Sequence, residues 1–141
     1  MEIFVSKKTK GIKSQIANLV AIAKLDGNFS VAEKKLIFEL GEKNGLDKDR
    51  VKDIIRSEDK IKFKAPENDS LRFDRVYECA LMIQANDDDE DQKIDFCTEL
   101  AIKLGIRMAV AGVLIKKIVD GVKANKTQEV IKKECADFLS Y

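Results

Sequence analysis

The chain has no histidine and no tryptophan, a single proline, three cysteines and, at +1, almost no net charge over its 141 residues. Each scarcity closes off something. Without histidine there is no imidazole base, no Ser-His or Cys-His nucleophile and no histidine-bearing zinc site. The 26 basic and 25 acidic residues nearly cancel, which argues against a dedicated nucleic-acid binder, since those carry a marked basic excess. The longest uncharged apolar run, Met108 to Ile115, falls far short of the roughly 20 residues that a membrane span needs. The apolar start, Met1 to Val5, is too short for a signal peptide, and Lys7, Lys8 and Lys10 follow it rather than precede it. Cys79, Cys97 and Cys135 are odd in number, widely spaced and outside any Cys-x-x-Cys motif. That usage suits a reducing cytoplasm, and their places at or beside apolar helical positions read as buried small hydrophobes. No glycine-rich phosphate loop occurs: Gly41, Gly45, Gly105, Gly112 and Gly121 all fall in or at the ends of helical patterns.

What the chain does contain favours helix. It is 45% hydrophobic and 36% charged, with much Ala, Leu, Ile, Lys and Glu, a composition for one folded domain spanning 1–141. After a basic segment, 1–10, a first helix is expected over about 11–25, with Ile12, Ile16, Leu19, Val20 and Ala23 as its apolar stripe. Asp26-Gly27 ends it. Ser30-x-x-Glu33 is a capping box that opens a second helix at Val31, in which Leu36, Ile37 and Leu40 are apolar. Gly45 closes that helix, and Asp47 caps a third carrying Val51, Ile54 and Ile55. Residues 57–69 form a connector in which Ile61-Lys62-Phe63-Lys64 alternates and Pro66 excludes helix. A fourth helix follows Asn68 or Asp69, and the acidic run Asp87 to Asp91 breaks it. Asp89-x-x-Gln92 reads as a second capping box, opening a fifth helix that Gly105 closes. A sixth, over about 107–124, and a last one capped by Thr127 complete the chain.

The two halves align at a constant offset of sixty: Lys43-Asn44-Gly45-Leu46 lies on Lys103-Leu104-Gly105-Ile106, and Val51, Ile54 and Ile55 lie on Ala111, Leu114 and Ile115. The expected architecture is therefore all-α, a compact bundle of about seven helices built from two pseudo-repeated three-helix units, about 11–55 and 71–115.

The acidic turns are the candidate sites. Read as a calcium EF-hand loop, Asp26, Gly27 and Glu33 fall at positions five, six and twelve, but Ile22 and Lys24 then occupy ligand positions one and three. An EF-hand fails on ligand count. A different geometry stays open, in which Asp26 and Glu33 of the first turn and Asp87, Asp88, Asp89 and Asp91 of the second supply oxygens to a hard divalent cation, calcium, magnesium or manganese. The plainer reading makes both turns helix caps whose carboxylates favour the following helix N-terminus. Two lysine groups, Lys7, Lys8, Lys10 and Lys13, and Lys116, Lys117, Lys123 and Lys126, read as solvated faces rather than nucleic-acid sites, because no aromatics are interleaved with them.

Ala23-Lys24-Leu25-Asp26-Gly27, then Ser30, Glu33 and Gly45-Leu46, resembles the first repeat of the TerB-like family (tellurite-resistance TerB and the N-terminal domain of the co-chaperone DjlA). Phe63-x-x-Pro66, Arg72-Phe73, the acidic turn and Glu99-Leu100-Ala101-x-x-Leu104-Gly105 are similar to its second repeat. The resemblance implies duplicated helical halves whose Asp-Gly…Glu turns are candidate divalent-cation or partner sites, in proteins tied to tellurite and other stresses. Asp26 and Glu33 match that pattern. The second turn departs from it: Asn86-Asp87 or Asp87-Asp88 replaces Asp-Gly, and Lys93 stands where the Glu is expected. The expectation is a non-enzymatic cytoplasmic module, monomeric or weakly self-associating, that binds an unknown protein partner and a divalent cation. Its alternatives are an enzyme of unknown type performing metal-assisted hydrolysis and a purely structural interaction module.

Overall fold

The computed structural model describes residues 6–86 and 88–139, and among them every regular element is helical, with no strand. Contacts divide the chain at Lys64–Ala65 into two units.

In the first unit α1 spans Lys7–Lys24, α2 Val31–Lys43 and α3 Lys48–Ser57, followed by a 3₁₀ turn, Glu58–Lys60. α1 begins at Lys7, four residues ahead of the start expected at about 11, because Ser6 Oγ accepts the Thr9 amide at 3.1 Å and caps a polar first turn. The stripe itself is buried as the periodicity predicts: Ile12, Ile16, Leu19, Val20 and Ala23 face inward, and α1 packs on α2, α3 and the 3₁₀ turn. Asp47 Oδ1 caps α3 by accepting from Arg50 N at 2.9 Å. α2 and α3 approach closely at Gly41, where an added Cβ would lie 2.6 Å from Val51 Cγ2. Beyond the 3₁₀ turn the chain leaves helix at an extended Ile61, and Lys64 N–H donates to Ser14 Oγ at 2.8 Å, fastening this segment to α1.

In the second unit α4 spans Asp69–Ala85, α5 Glu90–Lys103, α6 Met108–Lys123, α7 Gln128–Glu134 and α8 Ala136–Leu139. Asn68 caps α4 through its Oδ1 and Leu71 N. The strongly apolar α6 packs against both α4 and α5. α7 docks where Gly121 leaves room for Ile131, whose Cγ1 would be 2.8 Å from a Cβ at that glycine. Two side-chain bonds hold it to α4: Gln128 Nε2 to Asp74 Oδ1 at 3.0 Å and Lys132 Nζ to Ser70 Oγ at 2.7 Å. The single last helix expected from sequence is two short ones, because the Cys135 amide is shared between the Ile131 and Lys132 carbonyls and α7 closes there. The described helices therefore number eight rather than about seven.

Three helices end in the same way. Leu46 N–H bonds Gly41 O, Ile106 N–H bonds Ala101 O and Lys126 N–H bonds Gly121 O, at 2.8, 2.9 and 3.0 Å. The residue before each donor has positive φ: Gly45 at 89°, Gly105 at 112° and Asn125 at 59°. The pattern of glycines anticipates the first two; asparagine, which tolerates the left-handed region, hides the third.

Candidate functional site

The first acidic turn joins α1 to α2. At its entry Lys24 Nζ donates to Ile55 O at 2.8 Å and lies 3.7 Å from the Glu58 carboxylate, which anchors the end of α1 to the end of α3. Gly27, at φ 76°, reverses the chain, and its amide bonds Lys24 O. Asp26 Oδ1 accepts the Asn28 amide at 2.8 Å, closing an Asx turn. The capping box then forms in full: Glu33 N donates to Ser30 Oγ at 3.1 Å, and Ser30 N donates to Glu33 Oε1 at 2.9 Å. Each carboxylate thus spends one oxygen on the turn's own backbone. The second oxygens, Asp26 Oδ2 and Glu33 Oε2, are withdrawn from solvent, and Glu33 as a residue is 0% exposed. A fully buried carboxylate is costly unless it is hydrogen-bonded, and the Ser30 amide bonds that of Glu33. Two carboxylates supply fewer oxygens than the six to eight that calcium takes.

The second turn, between α4 and α5, is built from the same start but finishes differently. Asn86 Oδ1 accepts the Asp88 amide at 3.0 Å, again an Asx turn. Asp89 then adopts a left-handed conformation, φ 54° and ψ 40°, and makes no side-chain cap. The capping box expected at Asp89-x-x-Gln92 is therefore not formed. An N-cap side chain reaches the helix amides only from extended backbone, and Asp89 is not extended. Asp88, Asp89 and Asp91 are all exposed, and Asp87 lies outside the described residues.

Lys93, on the first turn of α5, is 0% exposed, and its Nζ donates to Asn86 O at 2.8 Å. The ammonium reaches away from the N-terminus of its own helix to the carbonyl just beyond the C-terminus of α4, where positive charge is favoured. It also lies near Cys97. Burial pushes the Cys97 thiol well above its ordinary value, the neighbouring Cys79 adds to that, and Lys93 works against both. Cys97 Sγ points at Cys79 O, 3.8 Å away.

The structure places Asp26 and Glu33 in one turn, and Asp88, Asp89 and Asp91 in another. Among the described residues no three His, Cys, Asp or Glu side chains gather as a metal-ion group. No described helix is long and apolar enough to cross a membrane. The burial of Lys93 and Glu33 went unread in the sequence, although a signal was present. Lys93, Cys97, Leu100 and Leu104 follow steps of four, three and four, and Glu33, Ile37 and Leu40 follow steps of four and three. Each charged residue heads a buried stripe. Compared with known proteins, the chain matches no protein-family model, no curated protein and no solved structure.

Proposed function

We propose that the chain is a non-enzymatic, TerB-like interaction module built by duplication, in which the first acidic turn holds one divalent cation and the body binds a protein partner. Pairs of like features at an offset of sixty support the duplication: Asx turns begin at 26 and 86, and helix ends are closed by 41 with 46 and by 101 with 106. Each unit also buries a polar pair at matching positions. Asn18 Nδ2 lies 3.4 Å from Gln15 Oε1, and Arg75 Nη1 lies 3.8 Å from Glu78 Oε1.

One observation carries the cation reading. At the place in the second turn that corresponds to Glu33, a buried lysine ammonium stands against the turn's own carbonyl. The second turn carries its positive charge as Lys93. The first turn instead presents two carboxylates, Asp26 and Glu33, each with one oxygen on the turn's own backbone, and in this reading a cation from solution joins them. Metal binding therefore involves one turn only, and exposed Asp88, Asp89 and Asp91 add to the surface charge without holding an ion.

Linkage tests this. At about a hundredfold excess over Kd a single specific cation stabilises the fold by about 2.7 kcal/mol, a rise of roughly 5–10 °C in Tm for a chain of this size. Magnesium or manganese gives that rise in the wild type, and Asp26→Ala abolishes it. No rise with calcium, magnesium or manganese removes the cation from the reading.

A further inference from the structure

The segment after the 3₁₀ turn and the N-terminal half of α1 enclose a groove of about 460 Å³ in the first unit. Its walls carry Lys10 and Lys13 from α1 and Lys60, Lys62 and Lys64 from the connector, and Ile61 and Phe63 supply its apolar surface. The groove exists because Lys64 N–H is tied to Ser14 Oγ, which holds the connector alongside α1. Lys10 and Lys13 stand one helical turn apart and so share a face. None of the five lysines forms an ion pair with a described residue, and the nearby Glu58 carboxylate is turned to Lys24. In a chain with a net charge of only +1, five cations around one apolar groove make a local positive site.

We propose that this groove binds an acidic peptide segment that carries an apolar side chain, its carboxylates on the lysines and its apolar group against Ile61 and Phe63. The proposal deepens the module reading by giving the partner a place and a chemistry, and it rests on that reading only for the protein nature of the partner. The side chains favour a peptide over a nucleic acid. All five cations are lysines, which act as point charges; the planar arginine fork that pairs with phosphate in two bonds is missing from the lining. Among the described residues Phe63 is the one aromatic of the groove, where a strand of bases needs a series of stacking rings. The near-zero net charge also gives no long-range field to draw in a polyanion.

The test is fluorescence anisotropy with three labelled probes of equal charge: a short peptide of alternating glutamate and leucine, a peptide of glutamate and serine, and oligothymidylate. The glutamate–leucine peptide binds tightest, and its affinity falls as salt is raised. Neutralising Lys10, Lys13 and Lys62 together to Gln weakens it about tenfold, the combined worth of three partly exposed charge pairs. Phe63→Ala weakens it about fivefold with every charge kept, and narrows its advantage over the serine peptide. Those lysines are at the surface, so an unchanged Tm certifies the variants as folded. Equal binding by the triple variant and the wild type overturns the proposal, and so does tighter binding of oligothymidylate than of either peptide. The metal-dependent Tm rise of the triple variant separates the two ideas: it persists if only the groove assignment is wrong, and is missing in wild type and variant alike if the cation reading is wrong.

Discussion

Replacing Lys93 exposes what its burial does. The side chain is 0% exposed and its ammonium makes a 2.8 Å bond to Asn86 O. Lys93→Met keeps the unbranched stem and loses the nitrogen. The lost charged hydrogen bond costs about 1.5–3 kcal/mol, and relief from burying an ammonium returns a similar amount, so the net change stays within about 1 kcal/mol. Lys93→Ala removes the stem as well and leaves a cavity at the head of the stripe formed with Cys97 and Leu100, at a cost of about 2–4 kcal/mol. Lys93→Glu sets a carboxylate against a carbonyl oxygen in a dry site, an uncompensated buried charge worth about 3–5 kcal/mol. At about 3 °C per kcal/mol the Tm values run wild type and Met together, Ala roughly 6–12 °C below, and Glu at or beneath Ala. Thermal unfolding followed by circular dichroism reads the series. An alanine variant as stable as the wild type refutes the burial, and a methionine variant as unstable as the glutamate one refutes the balance between desolvation and hydrogen bonding.

Other outcomes follow from the packing and the titrating groups. Gly41→Ala should gain about 1 kcal/mol of helix propensity. It should lose more, because its methyl meets Val51 Cγ2 at 2.6 Å, and the net is about 1–2 kcal/mol of destabilisation that a simultaneous Val51→Ala partly relieves; a raised Tm contradicts the close contact of α2 and α3. Asn125→Gly removes the cost of a left-handed side chain at φ 59° and should stabilise by about 0.5–1 kcal/mol in a denaturant titration. The Cys97 thiol is raised well above its ordinary 9.0, so the folded state keeps a proton that the unfolded state releases. That contribution to stability is complete below pH 9.0 and is lost as pH climbs towards the folded value, and Cys97→Ala should flatten the decline in unfolding free energy measured above pH 9.0.

Most of the helical architecture was legible because its signals are local. Ser30, Asp47, Asn68 and Thr127 cap the helices they precede, and Gly45 and Gly105 end the ones before them. The three cysteines are buried as their positions on the apolar stripes indicate. What escaped was decided by conformation or by distant partners. Asp89 has the residue type of a cap and the wrong backbone for one. Ser6 opens α1 six residues ahead of Ile12, the first residue of its apolar stripe. The lysine groove depends on Ser14 holding a segment fifty residues away in sequence, which periodicity does not report. Of the candidate site, the residues Asp26 and Glu33 were readable from the turn motif, whereas the exchange of a carboxylate for a buried ammonium at Lys93 took on meaning only once both proved to be inside.

The most direct measurement is a count of bound ions. Manganese titrated into the full chain and followed by electron paramagnetic resonance should show one ion per molecule, displaced by magnesium, absent in both Asp26→Ala and Glu33→Gln, and unchanged when Asp88, Asp89 and Asp91 become Asn. Stoichiometric binding that survives loss of Asp26 and disappears with the three aspartates of the other turn would contradict the account, as would no bound ion at all.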